Sequence, residues 1–259
     1  METPFVMGYR RVPLPPARTM PFISVFYIIY KYSYFCNMLF DLVLFDLDGT
    51  VLDTLQDLGD AVNYAMSLHG FPLHTLDEFR YMVGNGVRKL VRRAMPDNLK
   101  GDEDLHQECL GQFWKYYSDH LIVNTKPYPG MPELIKELQD RGVTVAVATN
   151  KFQEGADTLI HHFYPSIDII VGDRPGVPMK PDPTMVNLII EKCGNSADLR
   201  RHTALVGDAV TDVQAAAAAG VTGIGVSWGL RPVSALLEIG HDPELIARDV
   251  PHLRRLLGL

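Results

Sequence analysis

Two aspartates separated by one residue, Asp46 and Asp48, follow an apolar run in the string LVLFDLDGT. Carboxylates in such a position could act as a nucleophile, exchange protons or bind a metal ion. A calcium-binding loop also begins Asp-x-Asp, but it needs glycine at its sixth position and glutamate at its twelfth. Val51 and Asp57 occupy these positions, which excludes that loop. The sequence also lacks the G-x-x-x-x-G-K-[ST] phosphate loop, so the pair indicates a nucleophile beside a proton donor.

The elements that would carry such carboxylates are short apolar runs that become polar only at their carboxyl ends. Five runs have this form, at residues 42–48, 144–150, 168–173, 203–208 and 222–229. Runs of this kind predict buried parallel strands. Helical patterns separate them at residues 131–141, 183–193 and 212–219. The alternation predicts an α/β fold with a doubly wound, Rossmann-like parallel sheet, which binds ligands beyond the carboxyl ends of its strands.

A long segment between the first two predicted strands contains helical patterns and no convincing strand. Helices are predicted at residues 56–69, 75–83, 86–95 and 104–121. The second opens with the capping-box string Thr75-Leu-Asp-Glu78. Because a loop of this length is not expected inside a compact domain, we predict an inserted helical subdomain over residues 55–126. Residues 38–54 and 127–259 would then form the α/β core.

The first 37 residues differ in composition from the rest of the chain. They contain one acidic residue against four basic ones, and their apolar run at residues 21–30 is too short to span a membrane. No small-residue cleavage site follows this run. We expect residues 1–37 to be an upstream extension outside the native fold, with translation naturally starting at Met38. A membrane anchor and an extra docked element are the alternatives.

The composition limits the classes of function. The 259 residues are 47% hydrophobic and carry a formal charge of −7, which argues against a general nucleic-acid-binding protein. The three cysteines, Cys36, Cys109 and Cys193, lie far apart and form no C-x-x-C pair, so neither a disulfide framework nor a zinc site is expected. A cytoplasmic protein without nucleic-acid or membrane partners is the simplest interpretation.

Four strings occur in order at or after the predicted strands. They are DLDGT at residues 46–50, VAVAT ending at Thr149, KPDP beginning at Lys180, and GDAVTD at residues 207–212. Together they resemble the four motifs of the haloacid dehalogenase superfamily. The resemblance extends from Met38 to the C-terminus and implies that the helical insertion is the cap of this superfamily. One position departs from the pattern, because Ala209 stands where the family often has serine, which would remove one hydrogen bond.

The resemblance implies phosphoryl transfer with Mg²⁺ as the cofactor. Asp46 would be the nucleophile that forms an aspartyl-phosphate. Asp48 would protonate the leaving group and then activate the water that hydrolyses this intermediate. Asp46, the main-chain carbonyl of Asp48 and the carboxylate of Asp208 would supply the hard oxygen ligands that Mg²⁺ prefers.

The remaining motif residues would surround the phosphate. Thr149 and the Asn150 amide would donate hydrogen bonds to it, and Lys180 would offset the charge of the intermediate. Asp212 would orient Lys180 or a metal-bound water. As an acid in the first turn of a predicted helix, Asp212 would also interact favourably with the helix dipole, so a purely structural role is the alternative for it.

Three further strings are similar to bacterial phosphoglycolate phosphatases: VGNGVRKLVRRA at residues 83–94, ATNK at 148–151 and GVSWGLR at 225–231. This similarity implies a phosphoric monoester hydrolase, a monomer or homodimer, that converts the small metabolite 2-phosphoglycolate to glycolate and phosphate. Sugar-phosphate phosphatases, sugar phosphomutases and pyrophosphatases of the superfamily are the alternatives. Asp48 argues against a dehalogenase, and the presence of both Asp46 and Asp48 argues against a non-catalytic binding protein.

Selectivity for phosphoglycolate requires a partner for its carboxylate, and we predict Arg88 in the string GNGVRK. The two glycines allow close backbone approach, and a helix beginning there has N-terminal amides that favour anions. Arginine can also hold a carboxylate with two parallel hydrogen bonds. The alternative is that Arg88 lies on the solvated face of an amphipathic helix.

Overall fold

The computed structural model describes residues 40–259, and the predictions for residues 1–37 and for a start at Met38 lie outside the described residues. The strands are β1 (Leu42–Phe45), β2 (Leu52–Asp53), β3 (Lys126–Pro127), β4 (Thr144–Phe152), β5 (Ile169–Asp173), β6 (Thr203–Gly207), β7 (Thr222–Val226) and β8 (Ile246–Ala247). Six of them form a sheet in the order β5-β4-β1-β6-β7-β8. Every neighbouring pair in this sheet is parallel, which confirms the predicted α/β fold class.

Eleven α-helices accompany the strands in the described part of the chain. They are α1 (Leu55–Leu68), α2 (Leu76–Met82), α3 (Val87–Ala94), α4 (Glu103–Tyr117), α5 (Met131–Asp140), α6 (Gln153–Phe163), α7 (Thr184–Lys192), α8 (Ala197–Arg201), α9 (Val210–Ala219), α10 (Val233–Glu238) and α11 (Val250–Leu256). Short 3₁₀ turns occur at Asp97–Leu99 and Pro243–Leu245. Among residues 40–259, no helix is long and apolar enough to cross a membrane.

The central strand β1 is buried on both faces, because successive side chains of a strand point to opposite sides of the sheet. Leu42 and Leu44 pack on one side in a cluster that includes Ile189 of α7. Val43 and Phe45 pack on the other side in the larger cluster. The sheet is therefore covered by helices on both faces, which is why its strands read as continuous apolar runs.

The first predicted strand ends earlier in the structure than in the sequence pattern, at Phe45 rather than at residue 48. The chain turns back at this point, and the carbonyl of Leu47 accepts hydrogen bonds from the amides of Thr50, Val51 and Leu52. Asp46 and Asp48 therefore belong to a turn at the carboxyl end of β1. The ends of the other predicted elements coincide with the observed ends or differ from them by at most four residues. The largest difference is at α4, which stops at Tyr117 instead of residue 121.

The four helices α1 to α4 lie in the chain between β2 and β3, which pair as an antiparallel ribbon. Asp57, in the first turn of α1, fastens the chain where it returns to the ribbon. Its carboxylate accepts hydrogen bonds from the backbone amides of Val123 (3.1 Å), Asn124 (2.9 Å) and Thr125 (2.8 Å). The buried side chain of Asp57 thus joins the segment that leaves the ribbon after β2 to the segment that returns to it before β3.

Candidate active site

A cavity opens at the carboxyl ends of β1, β4 and β6 and extends to the helices α1 and α3. It is lined by seven of the eight residues that the sequence predicts for the site: Asp46, Asp48, Thr149, Asn150, Lys180, Asp208 and Asp212. The structure brings these residues together because parallel strands end at the same edge of the sheet. The eighth, Arg88, does not line the cavity.

Three buried carboxylates form the floor of the cavity. Oxygen atoms of Asp46, Asp208 and Asp212 lie within 4.8 Å of one another. Oδ2 of Asp208 accepts hydrogen bonds from the backbone amides of Leu230 (2.6 Å) and Arg231 (3.1 Å) in the loop after β7. Oδ2 of Asp212 accepts one from the amide of Ala209 (2.9 Å).

A glycine is required beside this floor. Gly49 has a φ of 86°, and a Cβ at this position would lie 2.8 Å from both Oδ2 of Asp208 and Cγ of Leu230. Only glycine combines the left-handed backbone with so close an approach. The glycine of the DLDGT string therefore lets the turn carrying Asp46 and Asp48 pack directly against Asp208.

The carboxylates of the floor repel one another, because they are withdrawn from water and face the same space. Burial raises the pKa of Asp46 to about 6, against the lowering effect of Lys180. Burial and the charges of Asp46 and Asp212 raise the pKa of Asp208 to about 7. The negative charge of these carboxylates is therefore not fully neutralised by nearby cationic groups, as in sites that bind a metal ion.

Lys180 supplies one positive charge to this floor. Its Nζ donates to Oδ1 of Asp46 at 2.8 Å and to the carbonyl of Ala148 at 2.6 Å, and lies 2.7 Å from Oδ1 of Asp212. Although burial alone lowers the pKa of Lys180, the carboxylates of Asp212 and Asp46 raise it above its ordinary value. Asp212 therefore contacts Lys180 as predicted and also belongs to the carboxylate cluster.

The end of β4 contributes Thr149 and Asn150, which are both buried. The side chain of Asn150 is engaged by the protein: its Oδ1 accepts from the amide of Lys180 (2.8 Å), and its Nδ2 donates to the carbonyls of Lys180 (3.0 Å) and Gly84 (3.2 Å). Asn150 thus fixes the loop that carries Lys180. The prediction that Thr149 and the Asn150 amide donate hydrogen bonds to a phosphate then requires the backbone amide of Asn150, because its side-chain amide is already engaged.

Asp48 has partners that the sequence patterns did not identify. Its Oδ1 accepts hydrogen bonds from Oγ1 of Thr54 (2.6 Å) and from Nζ of Lys151 (3.1 Å). Lys151 also donates to the hydroxyl of Tyr117 at 2.8 Å. Lys151 directly follows Thr149 and Asn150 at the end of a predicted strand, so its position in the sequence indicates that it lies near the site. Nothing in the sequence marks Tyr117, which lies at the C-terminal end of α4.

Arg88 is placed outside the cavity, contrary to its predicted role. Its guanidinium is 60% exposed and pairs with Glu103 at 3.3 Å. On α3 it is Val87 and Leu90 that line the cavity. The alternative interpretation of a solvated helix face describes Arg88 in this structure. The arginine that lines the cavity is Arg231, which follows β7.

The arrangement of a carboxylate cluster, a buried lysine and an Asp-x-Asp turn on this sheet agrees with the family comparison. The chain belongs to the haloacid dehalogenase-like hydrolases, whose family model matches residues 40–220. It is similar to the phosphoglycolate phosphatase of Pseudomonas syringae pv. tomato, with 35% identity over 86% of this chain and 80% of that protein. It is also similar to the phosphoglycolate phosphatase of Aliivibrio fischeri, with 30% identity over 84% of this chain and 96% of that protein.

Solved structures show the same fold. A candidate phosphoglycolate phosphatase from Lactobacillus delbrueckii subsp. bulgaricus superposes with a TM-score of 0.78 and 29% identity, over 85% of this chain and 99% of that one. A predicted phosphoglycolate phosphatase from Haemophilus somnus superposes with a TM-score of 0.72 and 27% identity, over 81% of this chain and 94% of that one. The family and the relatives confirm the predicted superfamily and the predicted enzyme class, a phosphoric monoester hydrolase.

Proposed function

We propose that this enzyme is a Mg²⁺-dependent phosphatase that hydrolyses 2-phosphoglycolate to glycolate and phosphate through an aspartyl-phosphate intermediate. The observation that carries the proposal is the buried cluster of Asp46, Asp208 and Asp212 with Lys180 at its side. The cluster combines a nucleophile, metal-ligating oxygens and a cation at one sheet edge. The substrate is inferred from the relatives, which are named for this activity.

The residues present fit a magnesium ion. The donors are carboxylate oxygens, which Mg²⁺ prefers, and a bound cation would offset the burial and the mutual repulsion that raise the pKa values of Asp46 and Asp208. Asp46 and Asp208 would hold the ion, together with the main-chain carbonyl of Asp48, and Asp212 lies close enough to take part. When bound, the ion would neutralise charge on the phosphoryl oxygens and on the attacking carboxylate.

In the first step, a carboxylate oxygen of Asp46 attacks the phosphorus in line with the departing oxygen. The bond from phosphorus to the substrate oxygen breaks, and that oxygen takes a proton from Asp48. Lys180 stays protonated throughout, and its ammonium group offsets the charge of the phosphoryl group on Asp46. The hydroxyl of Thr149 and the backbone amide of Asn150 hold the phosphoryl oxygens.

In the second step, a water molecule attacks the phosphorus of the aspartyl-phosphate. Asp48, now a carboxylate, takes a proton from this water as the bond between phosphorus and the Asp46 oxygen breaks. Phosphate leaves, and Asp46 and Asp48 return to their starting states. One residue thus acts as acid and then as base, because the same oxygen position is vacated by the alcohol and taken by the water.

We further propose that α1 to α4 form the cap over this site, with residues 55–126 as the cap and residues 38–54 and 127–259 as the core. Val83, Val87 and Leu90 of this segment line the cavity opposite the motif residues. With Arg88 turned away, the carboxylate of phosphoglycolate is assigned to Arg231, whose side chain reaches the cap by donating to the carbonyl of Tyr81 at 3.0 Å. The cytoplasmic location and the monomeric or homodimeric state stay predictions.

A phosphate-release screen tests the proposal. The purified enzyme is assayed with Mg²⁺ on phosphoglycolate, sugar phosphates, pyrophosphate and nucleotides, and then with EDTA. We expect the highest kcat/KM for phosphoglycolate and complete loss of activity in EDTA. A higher kcat/KM for a sugar phosphate or for pyrophosphate would reassign the substrate within the family, and full activity in EDTA would exclude the metal.

A further inference from the structure

Lys151 is a buried cation that the four motifs do not include, and it lies on the acid–base side of the site. Its side chain is 2% exposed, so its charge needs partners inside the protein. Nζ of Lys151 finds two: Oδ1 of Asp48 at 3.1 Å and the hydroxyl of Tyr117 at 2.8 Å. The ammonium group of Lys151 therefore bonds to one side chain of the DLDGT string and to one side chain of α4.

Tyr117 is buried and closely packed at the C-terminal end of α4. It is fully buried, and its ring packs against Phe113 and Phe152 with centroid distances of 5.1 and 6.1 Å. Burial raises the pKa of Tyr117 to about 12, so its hydroxyl stays protonated and accepts the hydrogen bond from Lys151 as a neutral group. The ammonium group of Lys151 thus lies between a packed ring that carries a hydroxyl and the carboxylate of Asp48.

The two oxygens of Asp48 have different surroundings. Oδ1 accepts from both Lys151 and Thr54. Among residues 40–259, no donor bonds to Oδ2. Two donors on one oxygen fix the plane of the carboxyl group, and the second oxygen is left for exchange of a proton with the substrate oxygen or with water.

We propose that Lys151 and Tyr117 are positioning residues that hold Oδ1 of Asp48 so that Oδ2 carries the catalytic proton, and that α4 thereby takes part in acid–base catalysis. The inference rests on the proposed function, in which Asp48 protonates the leaving oxygen. Lys151 keeps its own proton in both steps. Tyr117 acts only through Lys151, because its hydroxyl contacts the ammonium group and not the carboxylate.

The test compares leaving groups that differ in their need for a proton. p-Nitrophenyl phosphate releases a weakly basic oxygen, phenyl phosphate a more basic one of nearly the same shape, and phosphoglycolate a strongly basic alkoxide. We expect Lys151→Met to lower kcat/KM for phosphoglycolate about 100-fold, for phenyl phosphate less, and for p-nitrophenyl phosphate least, since general acid catalysis contributes about 10²- to 10⁴-fold. The ratio of kcat/KM for phenyl phosphate to kcat/KM for p-nitrophenyl phosphate isolates the effect on proton transfer. Neither of these substrates contains a carboxylate, so loss of a contact to the substrate carboxylate cannot change this ratio.

Equal losses on the two aryl phosphates would overturn the proposal, because a residue that binds the phosphate or merely supports the fold affects both alike. Failure of the wild-type enzyme to release phosphate from all three substrates would overturn the proposed function itself. The two failures are therefore distinguishable. Circular dichroism melting of each variant checks that it is folded at the assay temperature.

Tyr117→Phe removes only the hydroxyl and provides the milder second variant. We expect Tyr117→Phe to lower kcat/KM for the three substrates in the same order as Lys151→Met, but by smaller factors. When Tyr117→Phe is combined with Lys151→Met, we expect no further loss of kcat/KM, because a residue that acts through another has no effect in its absence. Additive losses in the double variant would overturn the assignment of Tyr117. The matched controls are Tyr116→Phe and Lys115→Met on the same helix. Both should leave the ratio of kcat/KM for phenyl phosphate to kcat/KM for p-nitrophenyl phosphate unchanged.

Discussion

Asp46 and Asp48 are two residues apart, yet different parts of the molecule hold them. Asp46 is paired with Lys180, and Lys180 is fixed by Asp212 and by a carbonyl at the end of β4, all within the sheet and its flanking helices. Asp48 is paired with Lys151, which is fixed by a tyrosine of α4. The two carboxylates therefore have parallel arrangements, a buried lysine for each. The lysine of Asp48 contacts a side chain of the helical insertion directly, whereas the lysine of Asp46 is linked to the insertion indirectly, through Asn150 and the carbonyl of Gly84.

This difference corresponds to what each carboxylate meets in the proposed reaction. Asp46 attacks the phosphoryl group, which is the same in every substrate, so a fixed set of core residues can serve it. Asp48 exchanges its proton with the leaving oxygen, whose substituent differs between substrates. An insertion that contacts the substituent and also holds Asp48 would link recognition of the leaving group to the acid that protonates it.

The largest expected effect distinguishes the two carboxylates directly. Asp46→Asn should abolish phosphate release from every substrate, since the amide is a poor nucleophile and a weaker metal ligand. Asp48→Asn should lower kcat/KM by about 10²- to 10⁴-fold for phosphoglycolate and by less for p-nitrophenyl phosphate, because only general acid catalysis is lost. Both are measured by steady-state phosphate release with Mg²⁺. Equal losses for Asp48→Asn on both substrates would contradict the division of roles.

The next prediction concerns recognition of the substrate carboxylate. Arg231→Ala should reduce transition-state binding of phosphoglycolate by about 1.5–3 kcal/mol, the range for a hydrogen-bonded charged group, as read from kcat/KM. Its effect on p-nitrophenyl phosphate should be small. The matched control is Arg88→Ala, which removes an exposed ion pair and should change neither value. If Arg88→Ala lowers kcat/KM for phosphoglycolate and Arg231→Ala does not, the original assignment is restored.

The outcome for these two arginines shows what the sequence can and cannot predict. Local strings at strand ends are enough to predict that the motif residues lie together, because parallel strands bring such strings to one edge of the sheet. Arg88 follows Val87 and precedes Leu90 by two positions, which places it about 160° around the helix from the leucine that lines the cavity. The helical period alone therefore places Arg88 on the side of α3 that faces away from the cavity.

The contacts of Lys151, Tyr117 and Arg231 cannot be predicted from the sequence for a different reason. Their contacts join positions far apart in the chain: Lys151 meets Asp48 across 103 residues and Tyr117 across 34. Arg231 reaches the carbonyl of Tyr81 across 150 residues. No local period or spacing records such contacts, since they depend on how the insertion packs against the sheet.

A smaller effect is expected from the burial and mutual repulsion of the carboxylates on the Asp46 side. Asp208→Asn should raise the free energy of unfolding in EDTA by about 1–2 kcal/mol near neutral pH, a common gain when a destabilised functional group is replaced. The raised pKa of Asp208, about 7, means that its carboxylate penalises the folded state. This penalty is absent below the unfolded pKa near 4 and grows as the pH rises toward 7.

The measurement for Asp208→Asn is urea unfolding of both proteins in EDTA at pH 4 to 7. The difference in the free energy of unfolding between the variant and the wild type should increase from pH 4 to pH 7. Addition of Mg²⁺ should stabilise the wild type and leave the variant nearly unchanged, because one ligand is lost. A difference that stays constant with pH would show that the raised pKa of Asp208, caused by burial and by the neighbouring carboxylates, is not the reason for the stabilisation.

The smallest expected effect tests the one departure from the family pattern. Ala209 is the N-cap of α9, has an extended backbone with φ −108° and ψ 155°, and forms no side-chain cap bond. Asp212 already accepts the amide of Ala209, which is one half of a capping box. Ala209→Ser would supply the other half, because its hydroxyl can accept from the amide of Asp212. Since this amide already donates to the carbonyl of Ala209 at 3.0 Å, the free energy of unfolding should rise by only about 0.5 kcal/mol.

The control for Ala209→Ser is Ala217→Ser, an exposed position in the same helix where serine has no amide to cap. It should lower the free energy of unfolding by about 0.5 kcal/mol, the difference in helix propensity. Opposite signs for the two substitutions in urea unfolding would establish the cap bond. A stabilised cap fixes Asp212, and through it Lys180, so the gain should come with no change in the ratio of kcat/KM for phenyl and p-nitrophenyl phosphate. A changed ratio would mean that the side of the site around Asp46 also controls proton transfer by Asp48, and that the two carboxylates are not held separately.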